Sequence, residues 1–388
     1  MRPATISEAE HDTVMRPVQS EARGEQPGLR RLLIVRLGSM GDVIHALPAA
    51  TLLRRAFPAA MLGWLVEERW VGLLCAPGVP RRGPRGPGRP LLDAVHVVNT
   101  LGWRSAPFSD ETWKEVAAAW REVRAAGYEL AVDFQGAVRT ALMARWAGAR
   151  SCLGFEKPRE HLASLFYTRA VEVEDTHVVE QNAALAAAVA GGLPAEIPAV
   201  AFPLDPAAEE TCERQLRKCG GQQFAILNPG AGWEGKQWPP ERYGEVARGL
   251  LALGLRSVVN FGPGEEPLAR AVQAAAGGAA EAVACSLSEL IAFTRRARLF
   301  VGGDTGPMHL AAALGVPVVA LFGPTNPARN GPFGGRSAVL RSPLSFSSDS
   351  AERAAARSRR RRPDRGLLAI TAEEVLAAAR QLLEGALA

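Results

Sequence analysis

The chain has 388 residues, 47% hydrophobic and 22% charged, with a net charge of +5. That length suits two domains with full cores, and no charge-free apolar run approaches the ~18 residues a membrane span requires. Five scattered cysteines without a C-x-x-C pair exclude a disulfide framework and a zinc ribbon, and point to a reducing cytoplasm.

Residues 1–28 are polar and mixed in charge, as expected of a disordered extension with no secretory signal. From Arg31 the run RLLIVRL predicts a central parallel strand. GSMGD follows as a tight turn, and VIHALPAATLLRRAF as a helix with Pro48 as a kink. MLGWLVEE is a second strand. RRGPRGPGRP, up to Pro90, is a basic loop too rich in breakers to form an element. DAVHVVN reads as a strand, WRSAPFSD as a connection, and DETWKEVAAAWREVRAAG as a helix capped by Ser109 or Asp110. ELAVDFQG is a strand, AVRTALMARWAGA a helix and SCLGF a short strand. REHLASLFYTRAVEV reads as loop, short helix and strand, and VVEQNAALAAAVAGGL as a helix ended by glycines.

PAEIPAVAFPLDP is proline-punctuated and divides a domain over 29–195 from one over 205–344. The second domain repeats the rhythm: strand and turn in QQFAILNPGAG, a helix in PPERYGEVARGLLALG, strand and turn in RSVVNFGPGEE. A helix from Glu266, a short strand near Ala282, the helix SLSELIAFTRRA, and the strands RLFVGGD and VPVVALFGP follow. Two alternating β/α series imply an α/β protein of two doubly wound, Rossmann-like domains facing across a cleft, with ligands at the carboxyl ends of the strands. Residues 345–366, rich in serine and arginine, read as a mobile loop. Residues 370–388 form a closing helix whose Thr371 opens a T-x-x-E capping box.

Three turns carry candidate chemistry. In Gly38-Ser39-Met40-Gly41-Asp42 a carboxylate stands at the mouth of the first helix, either as a partner of the helix dipole or as a general base free to take a proton. In NPGAGWEGKQW, Gly232 and its neighbouring glycines permit close backbone approach, and Lys236 is a point charge for a diphosphate. In VGGDTGPMHL, Asp304, Thr305, Gly306 and His309 surround a helix start, where free amides and the macrodipole favour an anion. The first turn is not G-x-G-x-x-G, which weakens a dinucleotide reading despite Glu67 and Glu68 after the second strand. No D-x-D pair offers a metal site, so Lys236 and helix amides would hold a leaving diphosphate, as in metal-independent transfer from a nucleotide sugar.

The blocks GSMGDVIHALPA, DFQGAVRTALMA, REHLASLFY, KQWPPERY and DTGPMHLAAALGVPVVALFGPTNP make the chain similar to glycosyltransferase family 9 and, within it, to the heptosyltransferase I branch. The resemblance implies a GT-B fold and inverting transfer of heptose from ADP-L-glycero-D-manno-heptose to the Kdo of Kdo-lipid A, with no cofactor and no metal. Asp42 matches the proposed base and Lys236 the phosphate lysine; Ser39, Gly41, Gly232, Asp304, Thr305, Gly306 and His309 belong to the donor set. Glu265, or Glu266 beside it, is expected on the ribose hydroxyls.

Arg104, Arg139, the Arg81 to Arg89 loop, Asp133 and Gln135 are candidates for acceptor contacts, each with a structural alternative. The resemblance further implies a cytoplasmic protein in peripheral contact with the inner membrane and no nucleic-acid partner. Two departures stand out: Ala231 and Gly232 replace the paired threonines of some relatives, and the segment after SPLS lacks their cysteines.

Overall fold

A computed structural model describes residues 28–192, 196–218, 223–345 and 364–385. The 1–28 extension, apart from Gly28, and the Arg-rich loop, apart from its ends, lie outside the described residues. The chain divides into two compact units between Asp205 and Pro206.

In the first unit, β1 (Arg31–Val35), β2 (Met61–Glu67), β3 (Ala94–Val98), β4 (Leu130–Asp133), β5 (Ser151–Phe155) and β6 (Arg169–Val171) form an all-parallel sheet in the order β3-β2-β1-β4-β5-β6. β1 lies centrally, Leu32 pairing with Leu62 on one side and Leu130 on the other. Leu32, Leu33, Ile34 and Val35 are fully buried, as a strand covered on both faces requires. The helices are α1 (Met40–Ala56), α2 (Thr100–Ser105), α3 (Asp110–Ala125), α4 (Val138–Trp146) and α5 (Val178–Ala190). Helix α1 continues through Pro48 and packs along α5, where buried Asn182 donates to the His45 carbonyl at 3.0 Å. Gly191 ends α5 in the left-handed conformation that suits glycine.

The second unit opens with α6 (Pro206–Lys218) and repeats the order with β7 (Phe224–Asn228), β8 (Arg256–Phe261), β9 (Ala280–Ala284), β10 (Leu299–Gly303), β11 (Val318–Phe322) and β12 (Ser337–Arg341), arranged β12-β11-β10-β7-β8-β9, again all parallel. Its other helices are α7 (Pro240–Ala252), α8 (Glu266–Ala275), α9 (Leu287–Arg296), α10 (Gly306–Ala313), α11 (Pro327–Asn330), α12 (Arg365–Ala369) and α13 (Ala372–Glu384). Each sheet reverses direction at its centre, between β1 and β4 and between β7 and β10. Crevices at the carboxyl ends of the strands open at such switch points.

Four elements depart from the sequence expectation. The supposed connection after β3 contains α2, started by Asn99, whose side chain accepts from the Gly102 amide. Helix α6 starts where the boundary stretch ends, in residues for which the sequence gives no element; Glu209 ties it to Arg295 at 2.7 Å and to Arg296. Strand β12 is a short edge visible only through its pairing with β11. Short α12 is capped by Asp364.

The block KQWPPERY turns out to be largely architectural. Trp238 is 1% exposed and donates to the Ile370 carbonyl at 3.1 Å, Arg242 donates to the Leu368 and Ile370 carbonyls at 2.6 Å, and Tyr243 donates to Asn228 O at 3.1 Å. These bonds fasten the C-terminal segment to α7 and brace the loop that carries Lys236.

Candidate functional site

The turn after β1 places Asp42 in the first turn of α1. Its Oδ2 accepts from the Ser39 amide at 2.8 Å and the Ser39 hydroxyl at 3.1 Å, and its Oδ1 meets Arg36 Nη2 at 2.6 Å. The carboxylate is paired, as the helix-dipole reading expects: a charge in the first turn of a helix attracts both cap donors and a neighbouring cation. Burial pushes its carboxyl up, but Arg36 and the Ser39 donors outweigh this and hold it below its usual value. The side chain remains 32% exposed, so it is ionised and reachable. Ser39 is exposed and caps the helix, whereas Gly41 is buried in the first turn. Gly38 has φ 158°, and a Cβ there would stand 2.6 Å from the Trp70 indole nitrogen.

Arg36 was not singled out in the sequence, although an arginine closing an apolar strand run is a visible signal. It is buried, donates to the Phe134 carbonyl as well as to Asp42, and so links the ends of β1 and β4.

Asp133 and Gln135, open in the sequence to acceptor contacts or to a packing role at the strand end, are internal struts. Asp133 is 0% exposed and accepts from the Gln135 amide at 2.9 Å, the Gly136 amide at 3.3 Å, the Thr140 hydroxyl at 3.0 Å and the Tyr167 hydroxyl at 2.8 Å. Burial raises its pKa, only partly offset by these four donors. The Gln135 side-chain carbonyl accepts from the Leu37 amide at 2.9 Å. A strand end that closes a sharp turn must satisfy its own amides before it can serve a ligand. Asp133→Ala is expected to lower stability by about 3 kcal/mol, since it leaves buried donors unpaired; urea unfolding measures this, and a change below about 1 kcal/mol would contradict the strut.

The arginine candidates divide in the same way. Arg89 is 2% exposed and donates to the backbone carbonyls of Gly83, Pro84 and Asp93, so it holds its loop together and cannot meet a ligand. Arg104 and Arg139 are exposed. Burial of part of its stem and the nearby Arg104 hold Arg139 below its usual pKa, with Glu67 and Glu160 opposing and Arg159 reinforcing the shift. Arg104, Glu67, Glu160 and Arg159 thus all bear on Arg139 at the carboxyl end of the first sheet, and the sequence reading left Arg159 out.

In the second unit the switch point between β7 and β10 brings Lys236 and the helix start of α10 together. Lys236 Nζ meets Asp304 Oδ2 at 2.6 Å and the Asp304 carbonyl at 3.3 Å, and the ring nitrogen Nε2 of His309 lies 3.2 Å from Asp304 Oδ1. Burial pushes the Asp304 carboxyl up, but His309 and Lys236 together hold it well below the usual carboxylate range. Lys236, expected as a lone point charge, is in fact shared with Asp304.

Thr305 precedes α10 without capping it, because its hydroxyl turns back to Gly303 O at 3.2 Å. Pro307 in the first turn removes one donor. Glu265 accepts from the Gly262 amide at 2.9 Å and lies so close over Gly230 that a Cβ there would stand 2.3 Å from both carboxylate oxygens. Glu266 instead pairs with Arg270 on the exposed face of α8, which decides between the two glutamates as the one facing the Lys236 loop. Gly232 has open space around it.

Taken chemically, the second unit offers an ammonium, a helix N-terminus and a neighbouring carboxylate to an anion carrying hydroxyls. The first offers an ionised carboxylate beside an arginine, with exposed Arg104 and Arg139 on the same sheet end.

Comparison with known proteins identifies a family. The model of glycosyltransferase family 9 (heptosyltransferase) matches residues 116–356. Lipopolysaccharide heptosyltransferase 1 of Pseudomonas aeruginosa is 32% identical over 78% of this chain and 81% of its own length. The protein of that name from Escherichia coli K12 is 32% identical over 81% of this chain and 94% of its own. The solved structure of Escherichia coli heptosyltransferase WaaC with ADP superposes with a TM-score of 0.67 at 28% identity, covering 92% of this chain and 99% of that one. With two Rossmann-like units of the GT-B class and a family match over more than half its length, the chain belongs to glycosyltransferase family 9 and is a heptosyltransferase.

Proposed function

We propose that this heptosyltransferase moves heptose from ADP-L-glycero-D-manno-heptose to the Kdo of Kdo-lipid A, with inversion and without a metal, in the synthesis of the lipopolysaccharide inner core. The observation that carries the reading is the triad of Lys236, Asp304 and His309 at the uncapped start of α10. A diphosphate competes with Asp304 for the Lys236 ammonium and takes the amides of Thr305 and Gly306. Asp304, kept ionised, accepts from sugar hydroxyls, and Glu265 accepts from the ribose.

Inverting transfer is one displacement. A Kdo hydroxyl loses its proton to Asp42 as its oxygen bonds to the anomeric carbon of heptose, while the bond from that carbon to the phosphate oxygen breaks and ADP leaves with the electron pair. Asp42 is a weak base at rest because Arg36 holds Oδ1. Arg104, Arg139 and Arg159 suit the carboxylates and phosphates of such an acceptor. Among the described residues no helix is long and apolar enough to cross a membrane, and the proposed place of work is the cytoplasmic face of the inner membrane, reached peripherally.

The test is release of ADP when purified protein is mixed with ADP-heptose and either Kdo-lipid A or the acceptor that already carries one heptose. Turnover with the first alone is expected. Preference for the second would assign the chain to a later heptose addition, and release with neither would remove the reading.

A further inference from the structure

Strand β2 ends beside the turn that carries Asp42: the Glu67 amide donates to the Leu37 carbonyl at 3.1 Å, and the 3-10 turn Glu68–Leu73 follows directly. In that turn the Trp70 ring lies against the Gly38 backbone, so close that a side chain on Gly38 would strike the indole nitrogen. This nitrogen is buried and has no acceptor, whereas Trp64 donates to the Arg36 carbonyl at 2.9 Å and Trp238 to the Ile370 carbonyl at 3.1 Å. A buried donor left unpaired costs stability, which turns attention to what the ring face does. The guanidinium of exposed Arg69 stands over that ring, 5.0 Å from its centroid. Tryptophan is the strongest aromatic partner for a cation, and stacking leaves the forked edge of the guanidinium open to an anion.

Other arginines of the first unit are already occupied. Arg36 is buried against Asp42 and the Phe134 carbonyl, Arg54 pairs with Asp93, and Arg89 serves three backbone carbonyls. Arg69 makes no ion pair among the described residues. Glu67, two residues back, gives its carboxylate to the Thr100 amide at 3.1 Å and to the Thr100 hydroxyl.

We infer that Arg69, laid on Trp70, receives a carboxylate of the acceptor on its approach to Asp42. Trp70 is the positioning residue, one ring bracing both the cation and the glycine turn at the start of α1. The inference rests on the proposed function, which supplies an acceptor whose sugar bears a carboxylate, and it names the side chain that recognises that group.

The experiment follows turnover of Kdo-lipid A, and of the same acceptor with its Kdo carboxylate esterified, by the whole chain, together with equilibrium titration of free Kdo in the absence of donor. Arg69→Met is expected to raise the acceptor KM about tenfold and to weaken Kdo binding equally, with kcat and the KM for ADP-heptose within about twofold of wild type. Trp70→Leu is expected to raise the acceptor KM about threefold, and Trp70→Phe, which keeps an aromatic face, to restore most of it. On the ester, wild type and Arg69→Met are expected to share one KM. An unchanged acceptor KM in Arg69→Met overturns the inference, as does a loss confined to kcat. A gap between the two proteins that persists on the ester assigns Arg69 to a phosphate of lipid A and also overturns it. If wild type turns over neither acceptor the assigned reaction falls, and the Kdo titration alone decides for or against Arg69.

Discussion

Lys236→Ala is expected to lower kcat/KM by about a hundredfold to a thousandfold and to weaken binding of ADP itself, the range seen when one charge-stabilising donor is removed from a reacting site. The leaving diphosphate loses its nearest ammonium. At the same time Asp304, whose side chain is 8% exposed, loses a partner at 2.6 Å. A buried carboxylate deprived of its cation costs about 3 kcal/mol, moderated here by His309 on the other oxygen.

Two measurements separate the effects: titration with ADP, and thermal unfolding with and without it. The sign with pH follows from the direction of the Asp304 shift. Its folded pKa is depressed, so the stabilisation is complete above the ordinary value of 3.8 and is lost as pH falls through the folded value. Lys236→Ala narrows that window. Unchanged ADP affinity in this variant would detach Lys236 from the diphosphate.

Asp42→Asn is expected to reduce kcat by about a hundredfold to ten-thousandfold while leaving donor affinity near that of wild type, because proton acceptance is lost and the donor cradle of the second unit is untouched. Ser39 still caps the helix, but buried Arg36 loses its carboxylate partner, so a destabilisation of about 3 kcal/mol is expected beside the loss of turnover and is read separately by thermal unfolding. Since Arg36 and Ser39 hold the carboxyl below 3.8, the base is ionised throughout the neutral range and its acid limb in kcat/KM lies below that value. An acid limb at about pH 6 that survives in Asp42→Asn would place the base elsewhere.

Much of the fold was legible in the chain itself. Near-continuous apolar runs such as LLIV and LFVGG announce strands buried on both faces, and capping residues such as Ser109 and Thr371 mark helix starts through local hydrogen bonds that need no distant partner. For the same reason Lys236, Asp304 and His309 could be singled out: glycine-rich turns at strand ends expose their chemistry in the sequence.

Elements that depend on a neighbour were not legible. β12 exists through its pairing with β11, and α6 is held by Glu209 reaching across to α9. The roles of polar residues also required the third dimension. Asp133 and Gln135 could be ligand groups or struts by sequence, and the fold decides: four donors converge on the first and the Leu37 amide on the second. Arg36 and Arg159 read as nothing in particular until folding set one against Asp42 and the other near Arg139.

What the sequence by itself determined was the pair of β/α series and the turns where an anion is received, because hydrophobic period and backbone chemistry are local properties. Only the tertiary structure decided which charges are occupied by one another and which stay available to a substrate, because that depends on distances between residues far apart in the chain. Lys236 and Asp304, 68 positions apart and in direct contact, are the clearest case.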